Sequence, residues 1–359
     1  MYWYIATELI QSGNAHALAR LYRGNRRPGD REHHFSTQPA QPRTLLACIG
    51  GTVMTTGGAF MGTGAWIILA LGGALALVTF GLSFIRSLTE RAAYKFSTSV
   101  GIGLTEEFLP LVRSRLVLQQ RGTAITAFLA LTLAAIFLTN NAELTGSTFG
   151  PLTFVGVLLA GMSAGNAATA LRSHAPRDPD RPRLARARVV TVADYVAPLE
   201  RRGAYIAVTL AIAAMISFLV ASGVMRRGPL PWISTPVILG TLAVASLLLF
   251  EIAGSRIART GQPATSSIEL AWDDALRAAR LRSLVFAPLI IGAYGTFASL
   301  ASASTLASAA TGGAPVAAGF AFVNLAFTLI AMVVAIIVLI KQPQRFFLRR
   351  LWPEAEAVA

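Results

Sequence analysis

Long charge-free apolar blocks alternate with short charged segments along this chain. Residues 44–85 and 283–340 contain no charged residue. A membrane-spanning helix needs about 20 apolar residues, so each of these blocks is long enough for two spans and a turn. The pattern predicts an all-α, polytopic transmembrane helical bundle with eight spans in hairpin pairs. The predicted spans are residues 44–62, 65–85, 122–139, 149–169, 203–224, 232–250, 284–302 and 316–340.

The first apolar block needs a turn to fit a membrane. As one helix, residues 44–85 would be about 63 Å long, roughly twice the hydrocarbon thickness of a bilayer. Four glycines cluster within residues 57–64. The sequence therefore predicts a hairpin that turns there.

A basic, proline-punctuated linker at residues 171–202 divides the apolar segments into two groups of four. The predicted organisation is an N-terminal tail (1–43), a first membrane half (44–170), the linker (171–202), a second membrane half (203–340) and a C-terminal tail (341–359). A duplication of one four-span half and two unrelated halves both fit the pattern.

Composition and charge support a membrane protein and orient it. The chain is 54% hydrophobic and 13% charged, with a mean hydropathy of +0.58, whereas a soluble domain is roughly 25% charged. With eight spans, every Lys and Arg except Arg226 and Arg227 falls on the side that holds both termini. Basic loops stay in the cytoplasm, so both termini are predicted to be cytoplasmic.

Short amphipathic helices are predicted in the cytoplasmic linkers, on the membrane or against one another, leading into spans three, five and seven. Each has a Ser or Thr cap candidate with an acid in the first turn, and those at residues 191–194 and 266–269 fit the capping-box pattern. The caps and acids are Thr105 with Glu106 and Glu107, Thr191 with Asp194, and Ser266 with Glu269. In the 266–282 helix, the predicted face for docking a partner protein is Trp272, Asp273, Leu276 and Arg277.

No catalytic, cofactor or metal site is predicted. Residues 161–165 match the G-x-S-x-G pattern of a nucleophilic serine, but they lie inside an apolar helix rather than at a strand-to-helix turn. Small-residue helix packing explains them better. His33 and His34 lack further ligands at a suitable spacing. The chain has no P-loop, so it has no ATPase of its own.

The predicted hydrocarbon layer contains no ionisable residue, which argues against a proton-coupled pump. Its most polar side chains are Asn166 and Asn324. Each either bonds across helices or contacts a transported substrate. Outside the layer, the arginines cluster at span ends, where they are expected to contact anionic lipid headgroups. They lack the interleaved aromatic residues of a nucleic-acid site.

Two linker segments carry a resemblance to other proteins. They are Val192-Ala193-Asp194-Tyr195-Val196-Ala197-Pro198 and Trp272-Asp273-Asp274-Ala275-Leu276-Arg277. The chain resembles the multi-spanning membrane proteins without assigned function of high-GC, actinobacterial-like proteomes. That resemblance implies a bacterial plasma-membrane location.

Two functions fit the sequence. One is the membrane-embedded, permease-like part of a transport system, driven by a separate cytosolic ATPase. The other is a non-transporting membrane anchor, scaffold or regulatory protein. A polar path through the bundle would favour the first, and a helix face that binds a partner would bear on both.

Overall fold

All regular secondary structure in the described part of the chain is helical, which confirms the all-α prediction. The structure is a computed structural model, and it describes residues 60–140, 150–172, 190–226, 232–260, 264, 266–311 and 346–352. Its helices are α1 (Phe60–Leu82), α2 (Arg86–Val100), α3 (Leu109–Thr139), α4 (Gly150–Arg172), α5 (Val192–Tyr195), α6 (Pro198–Arg226), α7 (Thr235–Arg259), α8 (Ser267–Thr311) and α9 (Phe346–Leu351).

The described residues contain fewer candidate spans than the eight predicted. Five helices, α3, α4, α6, α7 and α8, are long and apolar enough to cross a membrane. A sixth candidate is a bent pair, in which residues 69–82 of α1 meet α2 at 94°. Residues 60–140, 150–172, 190–226, 232–260, 266–311 and 346–352 thus hold five or six candidate spans, not eight. Predicted spans three to seven overlap the five helices, and predicted span 316–340 lies outside the described residues.

The second half of the glycine-rich segment 57–64, within which a turn was predicted, is helical, and residues 57–59 lie outside the described residues. Helix α1 begins at Phe60, so Gly62 and Gly64 are helical. Glycine is tolerated in an apolar helix because leaving the helix would expose backbone groups that the membrane interior cannot hydrogen-bond. Residues 44–59, which hold the rest of this predicted hairpin, lie outside the described residues.

Two predicted linker helices are continuous with the spans that follow them. They contact one another through Arg115 and Asp273, which is one of the two predicted arrangements, and they are not separate helices lying on the membrane. Helix α3 begins at Leu109, so Glu106 and Glu107 precede it and do not lie in its first turn as predicted. From Leu109 it runs without a break through the linker and span three. Helix α8 has 45 residues and does the same for span seven, passing through Pro288. At 1.5 Å per residue it is about 68 Å long, well beyond a bilayer's hydrocarbon thickness. Arginine and leucine at the junctions favour helix, so nothing local ends either one.

The third linker forms the predicted capping box but only one turn of helix. The Thr191 backbone N–H and hydroxyl each lie 2.9 Å from the Asp194 carboxylate, at the start of α5. The chain is extended at Val196 and starts α6 at Pro198, where a proline needs no N–H partner. At the start of α8, the Glu269 N–H donates to Ser266 Oγ at 3.2 Å.

Small residues bring the helices of the bundle close together. Helix α3 packs along α4, and α8 packs along α6 and α7, while α4 also touches α7 and α8. A Cβ atom at Gly165 of α4 would lie 2.5 Å from the Gly122 carbonyl oxygen of α3. One at Gly292 of α8 would lie 2.8 Å from the Ala207 backbone of α6. Small-residue packing of this kind is typical of helices in membranes, and it accounts for the G-x-S-x-G pattern.

Large apolar side chains point outward from these helices. Leu71, Leu133 and Ile206 are examples, each at least 60% exposed. Alanine makes up much of the buried set instead. A soluble protein rarely exposes so large an apolar surface. Together with the candidate spans, this surface supports a multi-pass membrane protein.

We expect Gly165→Ala to weaken the α3–α4 contact. The added methyl group would overlap backbone atoms of Gly122 and Thr123, which can move only if the helices separate. The expected loss is about 1–3 kcal/mol of unfolding free energy, measured by denaturant unfolding of the purified protein in detergent. Gly73→Ala is the control, because its Cβ would meet no atom within 4 Å. Equal stability of the two variants would contradict the close α3–α4 packing.

Candidate functional site

The predicted docking face on α8 is filled by the chain's own residues. Trp272 is fully buried and Leu276 nearly so, both in the main hydrophobic cluster. The Trp272 ring lies 6.3 Å from the ring of Phe96 on α2. The i, i+4 spacing that indicated an amphipathic helix is also the spacing of a stripe facing a core. In this structure the stripe faces the core.

Asp273, on the same stretch of α8, joins three helices through charged contacts. Its carboxylate pairs with Arg115 of α3 and, at 3.0 Å, with Arg277 one turn along α8. Arg277 also donates to the carbonyl oxygens of Ile257 and Thr260, at 3.2 and 2.7 Å. These carbonyls close the end of α7, where a cation is favoured by the helix dipole. One carboxylate thereby fixes the ends of α3, α7 and α8 together.

Asp274 makes a second set of contacts at this end of the bundle. Its buried carboxylate accepts hydrogen bonds from the Tyr195 hydroxyl at 2.9 Å and from Trp352 Nε1 at 3.1 Å. Nearby, Arg350 of α9 approaches Asp194 at 3.5 Å. These bonds tie α5 and the segment around α9 to α8.

Glu200 and Arg282 add a two-pronged ion pair between α6 and α8. Arg282 Nη2 and Nε lie 2.8 and 3.0 Å from Glu200 Oε1, and Nε also lies 3.2 Å from Oε2. Paired guanidinium contacts of this type are among the stronger hydrogen bonds in proteins. We call the side chains at this end the charged layer. Its members are Arg115, Tyr195, Glu200, Asp273, Asp274, Arg277 and Arg282.

A further group of polar side chains lies among the apolar residues of α4 and α8, beyond the charged layer. Asn166 of α4 is buried, and its side-chain amide donates to the Ser283 hydroxyl of α8. Ser163 is one turn away on the same face of α4. Within the described residues, Asn166 Oδ1 and Ser163 Oγ are buried and have no hydrogen-bond partner. We call Ser163, Asn166 and Ser283 the polar seam. Asn324, the other predicted polar contact, lies outside the described residues.

The described residues offer no arrangement for metal chemistry. No group of three or more His, Cys, Asp or Glu side chains within them could hold a metal ion. The acids of the charged layer bond to arginine, tyrosine and tryptophan instead. The layer therefore joins helices rather than offering open ligands.

Comparison with protein-family models, with curated proteins and with solved structures finds no match to this chain. The resemblance of the two linker segments thus identifies no family. The helices and their exposed apolar surface support only a general class of protein. The chain is a multi-pass membrane protein, and the part that the structure describes holds five or six candidate spans.

We expect Trp272→Ala to destabilise the protein strongly. Removing a fully buried indole leaves a cavity in the main cluster, which costs about 3–5 kcal/mol. Thermal unfolding in detergent measures the loss. Trp232→Ala is the matched control, because Trp232 is 63% exposed. If both variants have the melting temperature of the wild type, Trp272 lies on an exposed face, as predicted from the sequence, and not in the core.

Proposed function

We propose that this protein lies in a bacterial plasma membrane with its charged layer and both termini in the cytoplasm. The distribution of Lys and Arg along the sequence supports that orientation. The resemblance of the linker segments supports the membrane. This topology retains residues 44–62 and 316–340 as predicted spans.

The orientation predicts opposite locations for Thr260, which precedes α8 at the end of α7, and Ala309, near the end of α8. A reporter fused at Ala309 should be external, and one fused at Thr260 should be cytoplasmic. Each location is measured in cells with two reporter enzymes, one active only in the cytoplasm and the other only outside it. A cytoplasmic reporter at Ala309 would contradict the proposed topology.

We further propose that the protein is the permease-like, membrane-embedded part of a transport system whose ATPase is a separate cytosolic subunit. The polar seam carries this proposal. It lies where α4, from the first predicted half, meets α8, from the second. Substrates of many transporters bind where two such halves meet.

Two buried oxygens of the polar seam have no hydrogen-bond partner among the described residues, which supports a bound ligand there. Buried polar atoms are nearly always hydrogen-bonded, so each exception requires an explanation. A polar solute passing between α4 and α8 would supply donors to Asn166 Oδ1 and Ser163 Oγ. Two serines and an amide, without a charge, fit a neutral or weakly polar solute better than a proton.

The buried face of α8 changes where a partner could bind. Trp272 and Leu276 are covered by the chain itself, so a cytosolic ATPase would have to contact other surfaces. These two residues are therefore not available as a docking face.

The charged layer favours a second candidate, a non-transporting anchor or regulatory protein. Its ion pairs hold α3, α6, α7 and α8 together at one end. A bundle fixed in this way suits a protein that holds a partner in place rather than one that alternates between two states.

Purification in mild detergent from native membranes separates the two candidates. A stoichiometric ATPase subunit supports the permease. Recovery of the protein alone, or with a partner that is not an ATPase, supports the anchor.

The polar seam makes a more specific prediction for the permease. Ser163→Ala should leave the melting temperature unchanged, because Ser163 Oγ bonds to none of the described residues. It should, however, lower the substrate-stimulated ATPase activity of the purified complex several-fold. Ser222→Ala is the control, because this buried hydroxyl bonds to its own helix at the Phe218 carbonyl oxygen, 2.8 Å away. Unchanged activity in the Ser163 variant would remove the seam from the transport path.

A further inference from the structure

A carboxylate and a phenol form an exposed pair on the outer surface of α6 and α7. The Tyr205 hydroxyl donates to the Glu251 carboxylate. Tyr205 is 38% exposed, and Glu251 is exposed as well. Neither residue belongs to the charged layer or to the polar seam.

The position of the pair along the helices corresponds to a membrane interface. Tyr205 lies seven residues after Pro198, the start of α6, and Glu251 lies eight residues before Arg259, the end of α7. At 1.5 Å per residue, both lie about 10–12 Å from the charged helix ends. The headgroup region on each side of a bilayer is about 5–8 Å thick, which places the pair close to the boundary between headgroups and acyl chains.

Exposed apolar side chains surround Glu251, and basic side chains lie toward the helix ends. Ile206, Leu248 and Ile252 are each more than 50% exposed beside the pair. Arg201 lies one turn from Tyr205 toward the helix end and interacts with it electrostatically. The next residue, Arg202, is exposed.

An ionised carboxylate on such a surface is costly unless it is paired. The phenol supplies one hydrogen bond, whereas a carboxylate has about four acceptor positions. The remaining positions face outward, toward whatever surrounds the protein.

We propose that Glu251 binds the ammonium group of an ethanolamine phospholipid. The lipid phosphate accepts hydrogen bonds from Arg201 and Arg202, whose long side chains reach toward the headgroups. The acyl chains lie along Ile206, Leu248 and Ile252. An anion beside two cations matches the zwitterionic headgroup.

The headgroup amine determines the selectivity of this site. The ethanolamine ammonium has three N–H donors, whereas a choline headgroup is fully methylated and has none. An anionic glycerol headgroup would bring a negative charge to Glu251 without an ammonium. The site therefore prefers ethanolamine to both. The inference requires that α6 and α7 cross a membrane, but it does not depend on transport.

Native mass spectrometry of the full-length protein, released from nanodiscs, tests the inference. The nanodiscs contain equal amounts of ethanolamine, choline and glycerol phospholipids with identical acyl chains. We expect the wild type to retain the ethanolamine lipid about tenfold over the choline lipid, as one charge-assisted hydrogen bond would give. In Glu251→Gln the preference should disappear. Tyr205→Phe keeps the carboxylate and should keep the preference, as should the control Glu90→Gln, which removes a partly exposed, arginine-paired carboxylate on α2.

A second measurement needs no substitution. Retention by the wild type should fall stepwise from ethanolamine through its monomethyl and dimethyl forms to choline, because each methyl group removes a donor.

Several results would overturn the inference. They are equal retention across the methylated series, an unchanged preference in Glu251→Gln, or retention of the glycerol lipid as strong as that of ethanolamine. A protein that co-purifies with the wild type and is lost from Glu251→Gln would show that the carboxylate binds a partner subunit instead. A chain that fails to enter a bilayer would contradict the membrane placement itself, whereas a chain that enters without headgroup preference contradicts only this site.

Discussion

The arrangement of the bundle depends on the pairing of Asp273 with two arginines. Arg115 comes from α3, and Arg277 also closes the end of α7, so one carboxylate on α8 sets the relative position of three helices. A buried charge that loses its partner is far more costly than an apolar residue at the same place. The pairing therefore specifies one register among the many that apolar helices could adopt. The close contacts of glycine and alanine then become possible in that register.

The sequence was informative where structure is local, and misleading where it depends on distant residues. Apolar blocks predicted α4, α6 and α7, because the composition of a segment decides whether it forms a long apolar helix. The capping box at Thr191 was likewise predictable from four consecutive residues. Hydrophobic periodicity shows that the stripe containing Trp272 is buried against something, but not that the partner is the chain's own α2. Pairs such as Glu200 with Arg282, 82 residues apart, leave no local signal.

The buried polar groups are of two kinds, with different consequences for function. In the charged layer, acids and bases from several helices satisfy one another and hold that end of the bundle together. In the polar seam, Asn166 has one partner, and two oxygens have none among the described residues. A satisfied network favours rigidity, whereas unsatisfied atoms favour a ligand. This contrast is why the seam, and not the former docking face, carries the proposed transport function.

A double-mutant cycle on Arg115 and Asp273 tests the central claim most directly. The wild type, Arg115→Leu, Asp273→Leu and the double variant are unfolded with SDS in mixed micelles, and their unfolding free energies are compared. The account predicts that the two substitutions are strongly non-additive, with a coupling energy of about 1.5–3 kcal/mol for this partly buried pair. A coupling energy near zero would mean that the ion pair does not hold α3 to α8, which would contradict the account.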